Sequence, residues 1–183
     1  MNEAKDKFYI TRYTGINYKQ KGFEQDQKRI DDLRTLVKTK KYSDDEITAE
    51  GNRYSVEFPE DYVILLGDTA GISPLDGAEM PCWTKVNSKY VIKYSDTLES
   101  TIETVDRQLE NSLSEHRLRY CLAKPLRLIE DNNIILITDG NYKVSEYKIT
   151  YLSKPSDITI DNATVEYTDL PEHTHMEIVK LAV

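Results

Sequence analysis

The residues of this chain whose types could do chemistry are three histidines, two cysteines and one glycine-flanked acidic run. His173 and His175 stand two apart, so a strand would put them on one face and a helix about 200° apart. Neither a cysteine nor a carboxylate stands with them at ligand spacing, and no HExxH or Cys/His zinc pattern occurs. His116 falls at the end of a helical pattern, where a cation suits the helix dipole. Cys82 and Cys121 form no CxxC pair, and they read as reduced, partly buried small hydrophobes in preference to a structural disulfide. Gly67-Asp68-Thr69-Ala70-Gly71 lacks the GK[ST] ending of a phosphate loop. Its Asp-Thr-Ala triplet has no second copy to complete a two-carboxylate protease. No GxSxG elbow is present, and the other acids are scattered. The expectation is a chain that is not an enzyme, with no metal and no cofactor.

Periodicity sets out the elements that would position these groups. Residues 1–22 carry Phe8, Tyr9, Tyr13 and Tyr18 with Gly15 and Gly22 as breakers, and they read as a lead-in strand or a docking arm. Ile30, Leu33 and Val37, with Leu36 beside them and Lys28 four positions before Asp32, predict an amphipathic helix over about 24–40. After the polar break Ser43–Glu46, Ile47–Ala49 and Arg53–Phe58 flank Gly51-Asn52 as a hairpin. Pro59-Glu60-Asp61 predicts a short helix over Tyr62–Leu66 closed by Gly67, with a buried strand over Val63–Leu66 as the competing reading. Residues 67–81 read as a long exposed loop and 82–94 as extended chain. Leu98, Ile102, Val105, Leu109 and Leu113 predict the most regular helix, opened by an Asp96/Glu99 capping box. Two apolar runs around Asp139-Gly140-Asn141 predict a β-hairpin over 133–151.

The 183 residues fit one domain, and the fold class expected is α+β: amphipathic helices packed with antiparallel hairpins. The domain is expected over 23–183, with 1–22 as an N-terminal arm, a projecting hairpin and a C-terminal docking helix at 171–183. No apolar run approaches the roughly 20 residues that span a bilayer, and Met1–Lys7 lacks the apolar stretch of a signal peptide, so no membrane partner is expected. A net charge of −8 argues against nonspecific coating of nucleic acid, although such a surface suits a channel through which DNA slides. Thirteen tyrosines against three phenylalanines point to interface-forming faces, since tyrosine joins an apolar ring to a polar tip.

The order of motifs resembles a family. Phe58-Pro59-Glu60-Asp61-Tyr62, a middle helix followed by Lys124-Pro125-Leu126, the 133–151 hairpin, Tyr151-Leu152-Ser153-Lys154-Pro155, and Leu170-Pro171-Glu172 leading to Ile178-Val179 run in sequence. This order is similar to bacteriophage head-to-tail connector proteins, the portal-proximal ring or adaptor proteins that include those of crAss-like phages. Ser153 stands where the pattern leads one to expect a second basic residue.

The resemblance implies a virion structural protein at the head-tail junction, assembled in the bacterial host cytoplasm. Copies would form a closed ring, a dodecamer, between portal and tail. The ring would extend the channel for passing genomic DNA without sequence-specific binding, and would dock the portal protein and other tail or ring proteins. Ring closure requires a heterologous interface. The residues expected to carry it are Tyr142, Tyr147 and Tyr151 of the hairpin, Pro155 and Pro171, and Met176, Ile178, Val179 and Leu181 of the terminal helix, with strand addition to the hairpin as the mechanism. The alternative is a monomeric or dimeric protein-binding module that uses tyrosine-rich faces.

Overall fold

The structure is a computed structural model that describes residues 1–14, 28, 30–75, 83–117, 122–158 and 167–182. It is an α+β fold with antiparallel and mixed sheets. Two compact units divide the chain: Met1–Lys38, Asp61–Ile64 and Tyr151–Val183 form the first, and Thr39–Glu60 with Leu65–Thr150 form the second. The strands are β1 (Val37–Tyr42), β2 (Thr48–Glu50), β3 (Arg53–Glu57), β4 (Tyr62–Pro74), β5 (Lys85–Val86), β6 (Lys89–Tyr90), β7 (Lys93–Ser95), β8 (Leu98–Glu99), β9 (Leu126–Glu130), β10 (Asn133–Ile137) and β11 (Tyr142–Ser153). They form sheets in the order β1-β11-β4-β7 and β2-β3-β10-β9-β8, with β5-β6 as a separate ribbon.

In the first unit, Asn2–Thr14 is a helix, which corrects the lead-in strand reading, and the remainder of the arm expected over 1–22 lies outside the described residues. Ala4, Phe8 and Tyr9 enter a core with Leu33, Leu36, Leu152, Leu170 and Ile178. The C-terminal helix, Glu172–Ala182, forms as expected after Pro171, and it packs on the N-terminal helix. The helix expected over 24–40 ends earlier, and its residues 24–27 and 29 lie outside the described residues. Residues 28 and 30–33 are helical, Arg34–Leu36 is a 3-10 turn, and β1 begins at Val37. The β-branched and lysine alternation of Val37-Lys38-Thr39-Lys40 suits a strand, and pairing with β11 overrides the apolar spacing.

In the second unit, the hairpin at Gly51-Asn52 is present. Thr48 lies opposite Ser55 and Glu50 opposite Arg53, with Gly51 at φ +62 in the left-handed region. Tyr62–Pro74 is one continuous strand, so the helix expected at Tyr62–Leu66 gives way to the strand reading. The loop expected over 67–81 is strand as far as Pro74, and Ala70 and Ile72 are fully buried. β4 lies between β11 and β7, and Gly71 is opposite Tyr94. A Cβ at Gly71 would come within 3.0 Å of both Glu146 Cβ and Ile92 Cγ2, so glycine is needed there for close approach.

Two further expectations are corrected. The stripe over 98–116 is not one helix, since Leu98–Glu99 is a strand pairing in parallel with Leu126–Arg127 of β9. Only Val105–Glu110 is helical. Thr101 and Thr104 bond to each other, the Thr104 hydroxyl accepts from the Thr101 amide and the Thr101 carbonyl accepts from Val105, so the helical turn starts only there. The Asp96/Glu99 box is absent, and a capping box forms at Ser43 and Glu46 instead. The strands flanking Asp139-Gly140-Asn141 do not pair with each other. β10 runs between β3 and β9, and β11 runs between β1 and β4. Gly140 at φ +83 and the Asp139 carboxylate, which accepts from the Asn141 amide at 2.9 Å, make the turn. The chain thereby leaves one sheet and enters the other.

Asp68, on β4, organises the second unit. Its side chain is 6% exposed. Oδ1 accepts from Arg127 Nη1 at 2.8 Å, and Oδ2 accepts from Tyr147 OH at 2.6 Å and Thr97 Oγ1 at 2.5 Å. Replacing Asp68 with Ala leaves the buried Tyr147 phenol without its acceptor and takes one of two carboxylates from Arg127, which keeps Glu99 at 3.2 Å. Asp68→Ala should cost about 1–3 kcal/mol in chemical denaturation, the range for a buried donor left unsatisfied. A loss below about 1 kcal/mol, within the range of exposed ion pairs, would show that the hub is not structural.

Candidate functional site

The C-terminal helix has a core side and an open side. Ile178 is 3% exposed and Thr174 is 1% exposed, whereas Met176 and Val179 are 65% and 41% exposed. Met176 and Val179 are three apart, so they share a side turned about 150° from Ile178 and Thr174 at 3.6 residues per turn. Leu181, also exposed, borders a groove of about 360 Å³ with Phe8, Arg12 and Glu177.

Ion pairs fix this helix within the first unit. His173 Nε2 donates to Asp32 Oδ1 at 2.8 Å, and Arg12 Nε lies 3.1 Å from Asp32 Oδ2. The Asp32 side chain is only 1% exposed, and it is met by the Arg12 guanidinium from one helix and the His173 ring from another. Glu177 pairs with Arg12 and, at 3.2 Å, with Lys28. Burial pushes the Glu177 carboxyl up, and the two cations more than reverse this to hold it below the usual range. The i,i+4 pairing of Lys28 with Asp32 expected on one helix is replaced by these longer-range pairs.

The two C-terminal histidines share no ligand set. His175 Nε2 donates to the Leu170 carbonyl at 3.0 Å, and its ring stands 5.9 Å from that of Tyr167. Among the described residues no group of three His, Cys, Asp or Glu could hold a metal ion. Cys82 and Cys121 lie outside the described residues.

The other predicted interface residues are internal. Tyr142 and Tyr147 are fully buried, and burial pushes both phenols far up. Tyr142 OH donates to the His116 carbonyl at 2.8 Å, and Tyr147 is bound to Asp68. Tyr151, 5% exposed, donates to Asp61 at 2.9 Å; burial and then that bond push its phenol up to about 12. Pro155 is buried, Pro171 is half-buried, and Ile178 belongs to the core. The fully buried Lys5 ammonium donates to the Pro155 and Ser156 carbonyls at 3.2 and 2.7 Å and to Asp157 at 2.9 Å. Buried Ser153 donates to the Leu36 carbonyl at 2.9 Å, a place where a second basic side chain would have no solvent. Of the nine expected interface residues, Met176, Val179 and Leu181 remain open.

Sequence reasoning missed Asp32, Asp68 and His116 as organising groups. For Asp68 a signal existed: an acid inside a β-branched and apolar run, with Ala70 and Ile72 following on the same alternation. His116 does not end a helix. It is fully buried in the turn after Val105–Glu110, and neither ring nitrogen has a hydrogen-bond partner among the described residues. Burial lowers its pKa from 6.5, outweighing the opposing charge of Asp139.

No family model matches this chain, and the curated proteins give no match either. Among the described residues no helix is long and apolar enough to cross a membrane.

The depressed His116 pKa sets a pH dependence. The unfolded chain takes up a proton near pH 6.5 and the folded one only at lower pH. This contribution is therefore complete above pH 6.5 and is lost as pH falls toward the folded value. Denaturant titrations from pH 7.5 to about 5 should show stability falling with a slope of up to about 1.4 kcal/mol per pH unit. Carboxylates such as Glu146, lowered by hydrogen bonds from Lys41 and Tyr94, act only below 4.5. His116→Leu should flatten the slope above that range, whatever its effect on absolute stability. An unchanged slope would remove His116 as the cause.

Proposed function

We propose that this chain is a virion structural protein that forms a ring between portal and tail, extends the DNA channel and docks the next tail component. One observation carries the reading. Three of the motifs whose order resembles that of the connector proteins, Asp61-Tyr62, Tyr151–Pro155 and Leu170–Val179, lie together in the first unit. Leu152, Leu170 and Ile178 share its core. Asp61 accepts from Tyr151, and the Tyr62 and Tyr151 rings lie 6.1 Å apart. The helix that ends this module leaves Met176 and Val179 open to a neighbour. A subunit of a ring needs such a rigid module with an apolar element not used in its own core.

Two details of the assembly differ from the expectation. Strand addition to the 133–151 segment is unavailable, because β10 and β11 each have partners along both edges. Among the edge strands, β1 carries Lys38, Lys40 and Lys41, which discourage pairing with a further strand. Docking therefore falls to side chains of the C-terminal helix. The tyrosine-face alternative finds less support, because Tyr9, Tyr42, Tyr54, Tyr142, Tyr147 and Tyr151 are all buried.

Mass photometry of the protein alone and mixed with portal-containing particles tests this reading. A ring-sized species in either sample is expected. The double variant Met176→Asp/Val179→Asp should lose that species and keep the parental unfolding midpoint. Ile178→Asp, in contrast, places a charge in the core and should destabilise the fold itself by more than about 3 kcal/mol. Monomer in both samples, or rings that persist in the double variant, would overturn the assignment.

A further inference from the structure

The β5–β6 ribbon differs in charge from the rest of the molecule. From Trp83 to Ser95 there are three lysines, 85, 89 and 93, and no carboxylate, in a chain of net charge −8. Asn87 and Ser88 hold positive φ values of 51 and 66, the two-residue turn that keeps a ribbon narrow and twisted. Lys85 lies opposite Tyr90, and Val86 lies opposite Lys89. Opposed residues share a face and successive ones alternate, so Lys85 and Lys89 project from opposite faces. Both lysines are exposed.

Lys38, Lys41 and Lys124 each reach a carboxylate within 2.8 Å. Lys85 and Lys89 have no carboxylate at ion-pair distance among the described residues. Lys85 sits over the Tyr90 ring at 4.5 Å, and Lys93 sits over the Trp83 ring at 4.7 Å. Such cation–π contacts hold the lysine stems in place.

We propose that the β5–β6 ribbon is a contact for the phosphate backbone of double-stranded nucleic acid. A two-stranded ribbon fits the major groove, where a cation on each face meets one of the two flanking phosphate walls. Both aromatic rings already carry a lysine, so they are not offered for base stacking, and the contact is to backbone and neutral to sequence. The acidic remainder of the chain repels the duplex, which limits the contact to this ribbon and keeps it weak and salt-dependent. The inference concerns the single chain and stands apart from ring formation.

Fluorescence anisotropy with a short labelled DNA duplex of mixed sequence, at salt from about 50 to 200 mM, tests the proposal. The parent protein should bind with affinity that falls as salt rises. Lys85→Gln/Lys89→Gln should weaken binding about tenfold or more at the lowest salt and reduce the log–log salt slope by about 2. Lys85→Arg/Lys89→Arg should retain binding, which separates lost charge from lost packing. Lys148→Gln/Lys180→Gln, on exposed lysines elsewhere, should change little. Four results would overturn the proposal: no binding by the parent, equal weakening by the control pair, preference for single strands, or competition by polyglutamate equal to that by DNA. The last would make an acidic protein the partner.

Discussion

A buried carboxylate is costly unless every oxygen is met by a donor, and Asp68 imposes that constraint on the second unit. Its three partners come from different places: Tyr147 from β11 in its own sheet, Arg127 from β9 in the other sheet, and Thr97 from the segment between β7 and β8. A one-residue slip of β4 would turn Asp68 to the opposite face, strand the Tyr147 phenol and break the Arg127 pair. The register of the long central strand is therefore coupled to that of strands in both sheets. Gly71 reinforces the same register sterically, since any side chain there would meet Glu146 and Ile92.

The first unit applies the same logic with different charges. Asp32 is held by Arg12 and His173, and Lys5 by two carbonyls and Asp157. In both places one ionised group ties together segments more than a hundred residues apart in sequence. Apolar packing among Phe8, Leu36, Leu152 and Ile178 supplies burial, and the ion pairs select which helix face is buried. The C-terminal helix is thereby oriented with Ile178 inward and with Met176 and Val179 outward. Its open side follows from the fixed position of the buried side.

Tyrosine has a role here that composition alone does not convey. Tyr142, Tyr147 and Tyr151 fill interior volume as phenylalanine would, and each also supplies a donor to a buried or half-buried acceptor. The bias toward tyrosine thus serves internal polar satisfaction, with the buried Asp68 carboxylate, the His116 carbonyl and Asp61 as acceptors. Tyr94, 57% exposed and bound to Glu146, is an exception.

The chain by itself determined whatever depends on neighbours within a few residues. The hairpin at Gly51-Asn52, the start of the C-terminal helix after Pro171 and the mixed α+β class all follow from turn chemistry and local period. The turn at Asp139-Gly140-Asn141 was legible too, because glycine readily adopts the positive φ it needs. The destination of the two strands leaving that turn was not. Whether β11 folds back on β10 or crosses to another sheet depends on β3 and β9 already occupying both edges of β10. That is a matter of nonlocal pairing. The same reason divides the 98–116 stripe, where burial of Leu98 beside β9 outweighs helical spacing, and draws 62–74 into a strand between β7 and β11. Of the candidate site, the C-terminal helix could be read from its apolar residues. Which of them face outward could not, because Asp32, Arg12 and Phe8 decide it from elsewhere in the chain.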